Sequence, residues 1–418
     1  MSEAIAAIEN NKEITSDDNV PMVSSDQFIE KFDSGAADYL DHILIEALRV
    51  SASDVFLTFR EDSVEIAIRT MGFVRSLGKI NRELGARLMS HIKATADMDV
   101  TRSFAPQDGR SYVRLSSGGG IDLRLATLPT LYGEDLTIRI LDRRRLISLE
   151  EIGFHPTNFS RLHSIINRPG GLVLVTGPTG MGKTTTLYAV LKHLNDGTRK
   201  IHTIEDPIEF TLEGIHQSQV NIRRGVDFPD LLRGILRQSP DIIMVGEIRD
   251  TITADIVVRA ANSGQLVFAT SHARTTVEAC EAMLVLGVQP QFLASGLLGV
   301  VTQRLIRKLC PHCKMPLQPD EVFDVQTSHN EKMYIPAGCP ECHHSGYAGR
   351  IAVGEVLRVT REVERMIRSG ASMYQIHKRA VEEGMIDLRA DAQQKLDMGI
   401  TSPDEILRAI PGNFAETF

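Results

Sequence analysis

The chain has 418 residues, room for two or three domains at roughly 150 residues each, which excludes a small disulfide-stapled scaffold. A formal charge of −8 excludes general, charge-driven binding to nucleic acid or anionic membrane, and 5% aromatic residues with no tryptophan disfavour base-stacking platforms. No apolar run approaches the roughly 20 residues needed to cross a bilayer, and Glu3, Glu9 and Glu13 make the start unlike a targeting leader, so cytoplasmic residence is expected.

Residues 1–35 are polar and aperiodic and predict a flexible tail or a docking peptide. A small α+β domain is predicted over 36–142. Leu40, Ile43, Leu44, Ala47 and Leu48 follow helical spacing, and then Val55, Leu57 and Phe59 with Val64, Ile66 and Ile68 alternate as a hairpin turning at 61–63. A helix over 84–98 precedes further strands, the last two at 121–128 and 136–141. On these, Ile121, Leu123, Leu125, Leu136, Ile138 and Ile140 form the buried set, so Arg124 and Arg139 project from the opposite face. Residues 143–165, with the run Arg143, Arg144 and Arg145, predict a linker. From 166 to 308 short apolar strands (172–176, 200–204, 242–245, 266–270) alternate with helices, which predicts an α/β core with a parallel sheet covered on both faces. A tetracysteine element over 309–345 and a helical region over 346–418 complete the chain.

Gly177, Pro178, Thr179, Gly180, Met181, Gly182, Lys183 and Thr184 form a GxxxxGKT loop, followed by Thr185, between a predicted strand and a predicted helix. Glycines let backbone N–H groups converge on a phosphate, and the helix N-terminus adds partial positive charge. Lys183 is expected on β/γ-phosphate oxygens and Thr184 on Mg²⁺. The strand of Ile242 to Val245 leads to Glu247, which is expected to act on the metal through water, and Glu205, ending another apolar strand, is expected to polarise the attacking water. Thr270, ending the strand that starts at Leu266, and His272 just after it lie where a γ-phosphate sensor would lie. Cys310, Cys313, Cys339 and Cys342 form two CxxC pairs 25 residues apart, a spacing that closes a structural Zn²⁺ site, with His312, His343 and His344 as reserve ligands.

The loop, the segment Thr203 to Glu209, the block Leu236 to Asp250 and the segment Gln303 to Cys313 together resemble the type II secretion and type IV pilus assembly ATPases. The resemblance implies a PAS-like N-terminal domain, a RecA-like ATPase domain, ATP with Mg²⁺, and a homohexameric ring peripheral to the inner membrane that acts on a platform protein. It assigns Glu205 and Asp206 to the Asp box, Glu247 to Walker B, residues 264–272 with His272 to the His box, and Arg124 and Arg139 to a pair of nucleotide-sensing arginines; the four cysteines imply assembly over retraction. The chain departs from the family pattern at Gln265, in place of a box histidine, at Ile252, in place of a glutamate, and at Phe56, in place of a histidine. Two competing readings remain at this point: a nucleic-acid translocase of a conjugation system, and a nucleotide-binding ring without turnover.

Overall fold

The computed structural model describes residues 35–141, 146–317 and 333–410, so the expected tail over 1–35 except its last residue, Arg143 to Arg145 and part of the stretch between the CxxC pairs lie outside it. The chain divides into two units, residues 1–143 and 144–418.

In the first unit α1 (Ala36–Arg49) leads into β1 (Asp54–Phe59), β2 (Ser63–Thr70) and β3 (Phe73–Asn81), followed by α2 (Arg82–Thr95), β4 (Gln107–Arg114), β5 (Gly120–Thr130) and β6 (Gly133–Leu141). The strands form one antiparallel sheet in the order β3-β2-β1-β6-β5-β4. One face packs against both helices: Val55, Leu57, Val64, Ile66, Ile121, Leu123, Ile138 and Ile140 meet Ile43, Leu44, Leu88 and Ile92 in a single core. Asn81 caps α2 by accepting from the Leu84 N–H. The expected α+β architecture, hairpin and helices are present. β3 gives no sign in the sequence because it is an edge strand that exposes Phe73 and Val74, which blurs the alternation.

The second unit opens with a short 3-10 turn and α3 (Pro156–Ile166), then β7 (Gly171–Thr176), α4 (Lys183–Leu194), β8 (Ile201–Glu205), β9 (His216–Gln219), α5 (Phe228–Leu236), β10 (Ile242–Val245), α6 (Thr251–Asn262), β11 (Leu266–Ser271), α7 (Thr276–Val285) and α8 (Pro290–Gly296). The long β12 (Leu297–Leu309) is followed by β13 (Met315–Pro316), β14 (Tyr334–Ile335), β15 (Tyr347–Arg358) and the helices α9 (Arg361–Ser369), α10 (Met373–Glu382), α11 (Leu388–Asp397) and α12 (Pro403–Ala409). The main sheet has the order β15-β12-β7-β11-β10-β8-β9, parallel from β12 to β9 with β15 antiparallel at the edge. Leu172 and Leu174 join the core beneath α5 to α8, whereas Val173 and Val175 join that beneath α3 and α4, so helices cover both faces as expected.

Two boundaries need correction. The expected linker over 143–165 is largely part of the second unit, since Leu149, Ile152, Phe154, Leu162 and Ile165 are buried in its core. Pro156 opens α3 at a position where a missing N–H costs nothing. The region 346–418 begins with β15, not a helix. β15 pairs along β12 from Gly299 to Leu309 and extends the main sheet beyond residue 308.

In the first unit the Lys93 ammonium, 1% exposed, is held by both Glu134 oxygens at 2.8 and 3.0 Å and by the Arg102 carbonyl at 3.0 Å. Removing one partner leaves a buried charge without its counter-ion, so Glu134→Ala is expected to destabilise this unit by about 3–5 kcal/mol in urea unfolding followed by circular dichroism.

Candidate nucleotide site

The register of the parallel strands brings the chemistry together. Thr176 on β7 lies opposite Ser271 on β11, Val245 on β10 opposite Ala269, and Ile204 on β8 opposite Val245. The loop after β7, Glu247 after β10, His272 after β11 and Glu205 at the end of β8 therefore share the carboxyl edge of one sheet, the edge where open α/β sheets bind ligands.

The loop of residues 177–182 turns into α4 through Gly177, Gly180 and Gly182, all at positive φ. A Cβ on Gly177 would stand 2.6 Å from the Gln303 carbonyl oxygen, so space as well as conformation requires glycine there. Lys183 Nζ donates to the carbonyls of Gly177 at 2.6 Å and Pro178 at 3.2 Å. Burial pulls its ammonium below the usual lysine range and Arg304 adds to this, while nearby Glu247 opposes it.

Glu247 is the hub of the edge. One oxygen sits 2.5 Å from His272 Nε2 and the other 2.6 Å from Arg249 Nη2. Burial raises its pKa, but the hydrogen bond from Arg249 and the imidazole of His272 outweigh it and hold the carboxyl below its ordinary range. The adjoining backbone is fixed by Thr270, whose hydroxyl donates to the Gly246 carbonyl at 2.5 Å, and by the Ile248 N–H, which donates to the Thr270 carbonyl at 3.0 Å.

Glu205 sits differently. It is 3% exposed and accepts from the Tyr188 hydroxyl, from Thr203 Oγ1 at 2.6 Å and from Gln217 Nε2 at 3.0 Å. The strand end is where the sequence places it, but its carboxylate is built into the protein interior, and Glu247 with 15% of its side chain exposed is the more accessible acid. Sequence reasoning missed Tyr188, Gln217 and Arg249. Only Arg249, two residues beyond Glu247, carried a local signal.

In the first unit Arg124 and Arg139 are direct cross-strand neighbours on the face opposite the core, in the arrangement expected. Arg139 Nε donates to Asp54 Oδ1 at 3.0 Å, and Arg69 Nε lies 3.6 Å from Asp54 Oδ2. Asp54, itself 4% exposed, is a partner that the sequence did not single out.

The four sulfurs of Cys310, Cys313, Cys339 and Cys342 lie within 4.8 Å of one another, and the closest pairs are 3.7 and 3.8 Å apart. A tetrahedral ion with Zn–S of about 2.3 Å requires S···S edges of about 3.8 Å, so the thiols fit zinc. The expected reserve ligands His312, His343 and His344 are not part of this group among the described residues. Burial raises the Cys342 thiol, but the N–H groups of Cys339 and Gly346, each 3.2 Å from its sulfur, outweigh this and bring it down to about 7.

A glycine loop, its lysine and a strand-end acid on one edge of a parallel sheet define a P-loop nucleotide-binding protein. The sequence signature of the type II/IV secretion system protein family matches residues 30–408, and the chain belongs to that family. It is 40% identical over 374 residues to the type II secretion system ATPase E of Vibrio cholerae, covering 88% of this chain and 74% of that protein. It is 39% identical over 396 residues to the type II secretion system protein E of Pseudomonas aeruginosa, covering 94% and 78%. Its fold is shared with the ATPase DotB of Legionella pneumophila (TM-score 0.66, 21% identity, covering 90% of this chain and 96% of that one) and with the pilus retraction motor PilT bound to ADP (0.62, 21%, covering 88% and 96%).

The electrostatics of Glu247 give a pH expectation. Because its folded pKa is depressed, the ion pair with Arg249 contributes above the ordinary carboxylate pKa and is lost as pH falls through the lower folded value. A carbon-detected NMR titration should give Glu247 a midpoint below that of exposed glutamates, and Arg249→Ala should move it upward.

Proposed function

We propose that this protein is a secretion or pilus ATPase that hydrolyses ATP with Mg²⁺. The observation that carries the reading is the convergence of Lys183, Glu247 and His272 on the sheet edge that carries the glycine loop. In this reading backbone N–H groups of residues 177–182 cradle the β-phosphate, and Lys183 turns from its loop carbonyls to the β/γ-oxygens. The Thr184 hydroxyl and the Glu247 carboxylate are hard oxygen donors suited to Mg²⁺, which neutralises polyphosphate charge when bound. Thr185 completes the loop's contacts. His272 senses the γ-phosphate through its bond to Glu247. Glu205, on the strand neighbouring β10, is the second acid of this reading, and for it to orient the attacking water its carboxylate must exchange the bonds from Tyr188, Thr203 and Gln217 for one to water. Arg124 and Arg139, adjacent and on one face, act as a cationic pair toward a nucleotide held by an adjoining subunit.

The family and the relatives' names support a place in a secretion system, and the spacing of the four thiols supports a zinc ion on them; the reading adds a homohexamer, a PAS-like first unit, and an inner-membrane platform protein of a type IV pilus or type II-like secretion system as partner, with a cytoplasmic location peripheral to that membrane. No helix among the described residues is long and apolar enough to cross a membrane. The net charge of −8 goes against nucleic acid as cargo.

Steady-state phosphate release tests the chemistry. Lys183→Ala should abolish turnover, Glu247→Gln should lower it by about 100-fold, and Arg139→Ala should lower it by at least as much, because an arginine that neutralises transition-state charge contributes about 10³-fold or more. A wild-type rate equal to that of Lys183→Ala would overturn the reading. Purified protein should carry about one zinc ion per chain by mass spectrometry of the metal, and Cys342→Ser should lower that content and the thermal stability together.

A further inference from the structure

β12 runs beneath the nucleotide loop, and two of its successive residues hydrogen-bond to different parts of the site, Arg304 also adjoining Gly177, where an added Cβ would stand 3.3 Å from its Nη1. Gln303, 1% exposed, donates from Nε2 to the Met181 carbonyl at 2.6 Å and accepts at Oε1 from Thr186 Oγ1 at 2.8 Å. Met181 lies two residues before Lys183, and Thr186 two residues after Thr184. A single side chain thus ties both flanks of the segment expected to contact phosphate and metal. The fit is close: a Cβ on Gly182 would approach Gln303 Nε2 to 3.2 Å, and the Leu305 N–H points at Met181 Sδ at 3.4 Å.

Successive strand residues face opposite sides of a sheet, so Arg304 points away from α4. Its guanidinium, 2% exposed, donates to the Gln303 carbonyl at 3.0 Å and to the Arg274 carbonyl at 2.9 Å. Arg274 is two residues beyond His272. The segment between is pinned from β7 as well, by Thr176 Oγ1, which donates to the Ala273 carbonyl at 2.8 Å.

We propose that Gln303 and Arg304 are positioning residues with separate tasks: Gln303 presets the phosphate loop for nucleotide, and Arg304 sets the His272 loop for turnover. The inference rests on the ATPase reading above and adds a division of labour to it. A merely structural pair would change affinity and turnover together with stability. Separate tasks require the two parameters to split.

The full-length chain and its variants are titrated with methylanthraniloyl-ATP and assayed for phosphate release at saturating ATP. Gln303→Met, close in volume but unable to bond either flank, should weaken binding about tenfold, equivalent to about 1.4 kcal/mol, with saturating turnover within about threefold of wild type. Arg304→Lys, which keeps charge but loses the fork, should bind within about twofold and turn over about tenfold more slowly. Thr186→Val, a milder cut that keeps the Met181 bond, should weaken binding by about threefold and guards against a folding defect in Gln303→Met. Unchanged affinity in Gln303→Met or in Thr186→Val, or a loss of affinity in place of turnover in Arg304→Lys, overturns the inference. Failure of the wild type itself to bind or hydrolyse ATP would instead overturn the ATPase reading.

Discussion

The site depends on one steric constraint: the chain leaving β7 must turn sharply against the backbone of β12. Gly177 has φ of 141°, and any Cβ there would stand 2.6 Å from a carbonyl oxygen that cannot move without breaking the sheet. A larger residue would push the loop away from β12 and separate Met181 from Gln303. Once the turn is fixed, α4 starts at Lys183, and the lysine is delivered to the same edge as Glu247 by strand order alone.

On that edge the charges contribute little static stability, which suits the proposed exchange with nucleotide. Glu247 is shared between the half-exposed side chains of His272 and Arg249, and contacts of that kind contribute only about 0–1 kcal/mol each in solvent. They are weak enough to yield to a polyphosphate and its cation. Buried charge pairs that hold this unit together lie elsewhere, among them Arg307 with Glu405 and Lys395 with Asp391. Glu405 is fully enclosed, accepts from Arg307 and Arg408, and is held below the ordinary carboxylate range because those bonds outweigh its burial. That arrangement anchors α12 against β12 near the tetracysteine element.

What was legible in the sequence is what is encoded locally. The glycine spacing of residues 177–182, the apolar strands of the parallel sheet and the CxxC pairs are short-range patterns, and the structure bears out the strand, loop and helix they imply and the clustering of the thiols. The facing of Arg124 and Arg139 follows from period-two alternation and was equally readable. The environment of Glu205 was not, since it depends on Tyr188 and Gln217, 17 and 12 residues away on other elements. The linker misreading has a similar source. Gly153 and Pro156 look like loop punctuation, yet Gly153 is required because Ile351 of β15 would meet its Cβ at 2.4 Å, and that contact spans nearly 200 residues. β15 itself was hidden by its place beyond the tetracysteine element, with its partner strand lying before it.

The arginine pair extends the same logic to the first unit. Asp54 is almost completely buried, whereas 62% of the Arg139 side chain is exposed, so the ion pair between them has one enclosed and one solvent-facing member. Desolvation of Asp54 is compensated by Ser53, whose hydroxyl donates to it at 2.8 Å, and by Arg69 on its other side, so its carboxylate keeps partners when Arg139 leaves. A phosphate offers Arg139 a charge-assisted, two-pronged contact that is stronger than a solvent-exposed single bond. In the proposed ring, nucleotide arriving from an adjoining subunit would therefore draw Arg139 from Asp54 at small cost to the first unit, while Arg124 beside it on β5 keeps the second cation in register. In that proposal the asymmetry of burial across this one pair is what would let the sheet release Arg139 while Asp54 stays in place.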